Sequence, residues 1–169
     1  MKVNYRTAGT DDAAALAAFG AATFVDTFGH LYHPDDLAMF LRSHTAEAWA
    51  KELAEPAFAV RVAEADGALV GYAKLGPPHL PFEPRGEAAE LRQLYVVEAA
   101  KGAGIAATLM TWVIDQARDR RADHLYLSVF TENPRAQRFY AKFGFEEEGR
   151  YAFMVGNHAD EDIVMRLTL

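Results

Sequence analysis

The stretch ELRQLYVVEAAKGAGIAATLM, from Glu90 to Met110, changes its hydrophobic period in mid-course. Its first half has the β-branched and aromatic content of a strand, and its second half places Ile105, Leu109, Trp112 and Val113 at helical spacing. Between them lies Lys101-Gly102-Ala103-Gly104. A strand that hands over to a helix through glycines leaves the helix's first N–H groups unpaired, and the missing side chains let an anion come close. The stretch reads as a phosphate cradle. Its strand half also changes parity: Ala89 and Leu91 are odd, Leu94 and Val96 even, with Arg92 and Gln93 at the change. One inserted residue turns the downstream side chains to the other face, as a β-bulge does, and frees an N–H from the ladder.

Around this centre the pattern predicts a strand over 2–8 and a helix opened by Thr10, Asp11 and Asp12 that runs to about Asp26 through an alanine-rich stretch. Pro34-Asp35-Asp36 starts a short helix with Leu37, Phe40 and Leu41 on one side, and 45–55 reads as a third, ended before Pro56. Strands over 58–63 and 68–75 flank the turn Asp66-Gly67, and a proline-rich loop follows over 76–86. Beyond the central strand and its helix, 124–130 is a strand with Leu125, Leu127 and Val129 on one face. Asn133-Pro134 opens a helix striped by Ala136, Phe139, Tyr140 and Phe143 and ended by Gly144; strands over 145–155 and 162–167 close the chain. The order suggests a mixed sheet with helices on both faces, in which the central strand and 124–130 are parallel because a helix connects them.

With 169 residues, the chain has the length of one domain with a substantial core, and 51% hydrophobic with 24% charged residues is an ordinary globular composition. No cysteine is present, which excludes thiol nucleophiles, disulfides and Cys-ligated metal. The N-terminal residues lack the apolar core of a signal peptide and no apolar run approaches a membrane span, so a cytoplasmic location without membrane partner is expected. A net charge of −7 argues against nucleic-acid binding and is congenial to cationic substrates. His30 and His33 have no third ligand in the pattern, and no metal is expected.

No GxxxxGK followed by Ser or Thr exists, so the cradle is not a P-loop. Gly102, Gly104 and Ala107 fit G-x-G-x-x-A, but the acidic residue that a dinucleotide fold wants at the end of the next strand is misplaced: Asp123 precedes that strand and Glu132 follows it late. Here the chain resembles the GNAT superfamily of acyl-CoA-dependent N-acyltransferases, whose signature is Arg/Gln-x-x-Gly-x-Gly/Ala between a bulged strand and a helix. Lys101 departs from the first position, keeping the charge but losing the planar fork. Asn133-Pro-Arg-Ala-Gln-Arg-Phe-Tyr140-Ala-Lys-Phe-Gly-Phe145 is similar to the family's N-x-x-A-x-x-F-Y-x-K-x-G-F segment. The resemblance implies a single α/β (α+β mixed) GNAT domain, with a mostly antiparallel mixed sheet of about seven strands splayed between the fourth and fifth and helices on both faces.

It also implies acetyl-CoA as cosubstrate. Pantetheine would lie along the backbone of Leu94, Tyr95 and Val96, and a free N–H near Leu94 would bond the developing oxyanion, an effect of about 2.7–4 kcal/mol. The amides of Gly102, Ala103, Gly104, Ile105 and Ala106, with Lys101, would hold the pyrophosphate. Arg135, Arg138 or Lys142 would reach the adenosine phosphates, and Asn133 would help hold coenzyme A. Tyr140 matches the family's tyrosine acid, which protonates the leaving thiolate; tyrosine titrates near 10 and a thiol near 8.5, so the transfer is uphill by only about two units. Read from the residues alone, Asn133 is a helix cap before it is a ligand and Tyr140 a member of its helix's apolar stripe before it is an acid; the resemblance turns both toward function. Glu90 is the first candidate base, with an ion pair to Arg92 as its structural alternative. The strand position that carries a glutamate in some relatives is Ser128 here.

The segment from Phe24 to Tyr32 with Pro34-Asp-Asp-Leu, and the ending from Tyr151 to Gly156 and Asp160 to Ile163, are similar to the branch that includes bacterial spermidine/spermine acetyltransferases. By that likeness the partner is a small amine, with Asp26, Asp35, Asp36, Asp160, Glu161 and Asp162 available to distal ammoniums and Phe24, Phe28, Tyr32 and Tyr151 to the methylene chain; in each case a helix cap or core packing is the alternative. A protein N-terminus, a lysine or an antibiotic amine are other acceptors for the same fold, an acyl-CoA sensor is the non-catalytic alternative, and a homodimer is a permitted assembly.

Overall fold

The computed structural model describes residues 1–169. Seven strands, β1 (Asn4–Thr7), β2 (Ala59–Ala65), β3 (Ala68–Gly76), β4 (Ala88–Val96), β5 (His124–Phe130), β6 (Glu146–Val155) and β7 (His158–Thr168), make one sheet in the order β1-β2-β3-β4-β5-β7-β6. Five α-helices accompany it: α1 (Ala13–Phe28), α2 (Pro34–Leu41), α3 (Ala46–Ala54), α4 (Ile105–Asp119) and α5 (Pro134–Lys142). The α/β (α+β mixed) sheet expected from the sequence is the one observed, antiparallel except between β4 and β5.

Alternation along the strands divides the core into two layers. Val60, Val62 and Tyr72 point to one face and meet Leu16 of α1 and Trp49 of α3. Ala63, Leu75, Leu91 and Leu127 point to the other, where Leu109, Met110 and Val113 of α4 are fully buried. Asp66 and Gly67, both at positive φ (52° and 78°), make the tight β2–β3 turn that the sequence announces.

Two irregularities at the centre matter for function. Leu75 pairs with Leu91 and Lys74 with Gln93, so Arg92 is the extra residue of a bulge, at the parity change seen in the sequence. The parallel pairing of β4 with β5 covers only Ala88↔His124, Ala89↔Leu125 and Glu90↔Tyr126. Past Glu90 the strands part, and that edge of β4 has no strand partner.

Two expectations need correction. β7 begins at His158, earlier than the apolar pattern from 162 onward suggests, because Asp160 and Asp162 interrupt the alternation yet pair with Phe153 and Tyr151 of β6. Helical residues Thr10–Leu31 do reach the length and apolarity of a membrane span, with mean hydropathy 1.2. Alanine supplies much of that value, and the buried residues Ala13, Leu16 and Ala17 are committed to the sheet.

Helix α2 is fastened to the β6–β7 turn. Asp36 Oδ1 accepts from Asn157 N at 2.9 Å. Gly156 has φ +59°, and a Cβ there would lie 2.5 Å from Asp36 Cα. Gly156→Ala is therefore expected to destabilise the fold by about 1–3 kcal/mol, read by urea unfolding; a change within error would show that this contact is dispensable.

Candidate active site

Where β4 and β5 part, a cavity of about 480 Å³ opens through the sheet. On the α4/α5 side it is lined by Leu94, Val96, Ile105, Leu127, Val129 and Tyr140, and on the α1/α2 side by Phe24, Phe28, Tyr32, Tyr95 and Ser128. The two faces of the sheet communicate only because the ladder between these strands stops.

At one end lies the glycine turn. Gly102 (φ +88°) and Gly104 (φ +79°) adopt the left-handed conformation that lets the chain enter α4 directly, and no side chain caps that helix. Its first-turn amides are thus available to an anion. Lys101, Gly102, Gly104, Ile105 and Ala106 line the cavity; the Ala103 side chain does not. Lys101 Nζ sits 2.7 Å from Glu98 Oε2, and that pairing, aided by the charge of Arg135, holds the Glu98 carboxyl below its usual range.

Helix α5 supplies the opposite wall. Asn133 Oδ1 accepts from Ala136 N at 3.2 Å, so it caps the helix and lines the cavity at once, leaving its side-chain N–H groups to donate. Arg135 also lines the cavity. Lys142 does not: two positions after Tyr140 it points to the opposite side of α5, exposed in the last turn, where its charge suits the helix dipole. The expectation that it reaches a cofactor phosphate is not met in this geometry.

Tyr140 has no protein hydrogen-bond partner for its hydroxyl, which borders the cavity. Burial, then the neighbouring Tyr95, pushes its pKa well above the ordinary value, so it remains a proton donor across the neutral range. Burial pushes Tyr95 up to about 12.

Glu90 is placed otherwise than a base requires. It is 2% exposed and outside the cavity lining; its Oε1 accepts from His79 N at 3.0 Å, Oε2 lies 2.8 Å from His79 Nδ1, and Arg92 Nε is 3.7 Å away. It ties the loop after β3 to the sheet, closer to the structural alternative than to the catalytic one.

The carboxylates that line the cavity are Asp160 and Asp162 on β7, 8% and 7% exposed. Asp160 accepts from the Tyr32 hydroxyl and faces His158 Nε2 at 3.1 Å. The Asp162 carboxyl is pushed up to about 6 by burial and by the charge of Asp160, against the opposing hydrogen bond from Ser128. Asp26, Asp35, Asp36 and Glu161 lie outside the lining; Asp36 holds Asn157, and Glu161 pairs with Arg150. Above the two aspartates is an aromatic cup: Phe24 stacks on Phe40 at 4.5 Å between centroids, Phe28 meets Phe130 edge-on at 6.3 Å, and Phe153 contacts Phe40 at 5.7 Å. Sequence reasoning missed Phe130 and Phe153. Phe130 alternates with core residues on β5 and Phe153 lies between exposed residues on β6, but nothing local says that their face is covered by α1 and α2.

The model of the acetyltransferase (GNAT) family matches residues 24–145. The chain belongs to that family. An uncharacterised N-acetyltransferase of Mycobacterium tuberculosis is 38% identical over 155 residues, covering 91% of this chain and 96% of the relative. The L-amino acid N-acetyltransferase of Escherichia coli is 32% identical over 124 residues, 70% of this chain and 75% of that protein. Among solved structures, the PaiA N-acetyltransferase of Thermoplasma acidophilum in complex with coenzyme A has the same fold, with TM-score 0.80, 20% identity and 100% of each chain covered. This GNAT protein is an acetyl-CoA-dependent N-acetyltransferase, and its residues fit the cosubstrate: uncapped amides after a glycine turn for the diphosphate, and an unpaired β4 edge for the pantetheine arm.

Asp162 titrates higher in the fold than in the unfolded chain, so its contribution to stability is full below about pH 4 and is lost as pH rises through about 6. Asp162→Asn escapes that loss. The variant is expected to be more stable by about 2 kcal/mol near pH 7.5, the gain shrinking toward zero as pH falls to about 4; thermal unfolding at several pH values measures it, and a pH-independent difference would contradict it.

Proposed function

We propose that this GNAT enzyme transfers acetyl from acetyl-CoA directly to a small primary amine that carries further positive charge, with polyamines such as spermidine and spermine as the first acceptors to try. One observation carries this reading: charge is divided across the gap. Lys101 and Arg135 border the anion end, whereas Asp160 and Asp162 lie among aromatic rings at the other. A cationic chain is attracted to that cup by the carboxylates and by the ring faces, while its methylenes pack on the same rings. A free amino acid, the acceptor named for the Escherichia coli relative, would bring its own carboxylate toward Asp160 and Asp162, and like charges disfavour it.

In this reading the amides of Gly102 to Ala106 and the cations Lys101 and Arg135 hold the diphosphate, Asn133 donates to coenzyme A, and the open edge of Leu94, Tyr95 and Val96 receives the pantetheine arm. An amide near Leu94 stabilises the tetrahedral oxyanion. Tyr140 protonates the departing sulfur, a role supported by its unpartnered hydroxyl and raised pKa.

Acetylation of spermidine, butylamine and an L-amino acid, followed by thiol release, is expected to rank spermidine first; equal or better turnover of the amino acid would reject the charge argument. Tyr140→Phe is expected to lower kcat about 10²-fold or more with acetyl-CoA affinity by calorimetry nearly unchanged. Unaltered kcat would remove its acid role.

A further inference from the structure

We infer that Asp162 is the general base of this enzyme: the carboxylate that takes the proton from the acceptor ammonium before attack. The assignment rests on the acceptor being an amine, and hydrogen-bond accounting selects this residue. An ionised carboxylate offers about four lone-pair sites. Asp160 has its two oxygens engaged separately, Oδ2 by the Tyr32 hydroxyl and Oδ1 by His158 Nε2. Glu90 is committed to His79 and lies off the cavity. Asp162 lines the cavity with Ser128 as its hydrogen-bond donor, and no atom of it is buried without a partner, so its remaining acceptor sites open onto the space where an acceptor would lie.

Strand register explains the arrangement. Asp162 is opposite Phe130 on β5 and Tyr151 on β6, and Ser128 is its diagonal neighbour on the same face. Tyr151 donates to Ser128 Oγ at 3.0 Å, which leaves the Ser128 proton to point at Asp162. The charged and titratable groups around Asp162 are Asp160 and, beyond it, His158 on β7; Tyr151 on β6, with Glu90 behind it; Tyr32 from the segment after α1; and Arg92 and Tyr95 on β4 across the cavity. Its titration near 6 leaves it ionised at neutral pH, yet far more basic than a solvated aspartate.

The step balances as follows. One ammonium N–H proton passes to an Asp162 oxygen. The nitrogen lone pair then forms the C–N bond to the thioester carbonyl, and collapse breaks the C–S bond. Sulfur takes the Tyr140 proton, the Tyr140 oxygen is reprotonated by the second N–H proton, and the proton on Asp162 leaves past Asp160 and the exposed imidazole of His158.

The test is kcat/KM against pH for spermidine and propylamine at saturating acetyl-CoA. The wild type should show an acid limb with an apparent pKa near 6. In Asp162→Asn the neutral-pH rate should fall about 10²–10³-fold, with the rate climbing toward high pH in step with the free-amine fraction and acetyl-CoA affinity unchanged; Asp162→Glu should restore part of the rate and an acid limb. An acid limb that survives Asp162→Asn, or that disappears in Glu90→Gln, overturns the assignment while leaving amine acetylation intact. If neither amine is acetylated by the wild type, the amine reading falls and the assignment falls with it.

Discussion

The parallel ladder between β4 and β5 ends after Glu90↔Tyr126, and the rest of the site depends on that ending. A fully paired sheet would separate α4 and α5 from α1 and α2 by a continuous wall. The bulge at Arg92 turns the strand just where the pairing stops, so Leu94 and Val96 face the side of Tyr140 while Tyr95 faces the aromatic cup. A bulge of this kind loses regular ladder bonding locally, and the surrounding structure compensates: the Arg92 guanidinium donates to Pro77 O through Nε at 2.8 Å and Nη2 at 2.6 Å, and the Tyr72 hydroxyl donates to Gln93 Oε1 at 2.6 Å. The opening is held by specific polar contacts rather than left to flexibility.

A gap through the sheet opens the cavity to both faces, and the electrostatics follow the same division. Amide dipoles and cations gather at the start of α4 and α5, carboxylates on β7. Burying Asp162 beside Asp160 is costly for folding, because burial and the neighbouring charge both disfavour its ionisation. Replacing such groups with neutral ones stabilises many folds, and perturbed carboxylates of this kind concentrate at functional sites. Tyr140 is the complementary case, an acid kept protonated by the apolar helix stripe on which it sits.

Much of the architecture was legible along the chain. The two-residue turn at Asp66 and Gly67, the proline-opened helices and the apolar alternation of β5 are local signals, and local sterics enforce them. The bulge too could be read, since one extra residue shifts the parity of every apolar side chain after it. The start of β7 could not: the residues from 158 to 161 look like a loop until β6 pairs with them and a cavity receives the Asp160 side chain. Glu90 was misleading for a related reason. Its place on the central strand is close in sequence to the reacting region, but the loop carrying His79 folds over it and uses its oxygens.

The sequence by itself determined the anion cradle, the helix that follows it and the placing of Asn133 and Tyr140 at the start and on the inner stripe of α5, because these depend on backbone conformation and on the helical repeat. Only the tertiary structure decided which carboxylates line the cavity and which are spent on holding loops. That choice depends on strand register and on the faces that α1 and α2 cover, distances between residues far apart in the chain that no local pattern encodes.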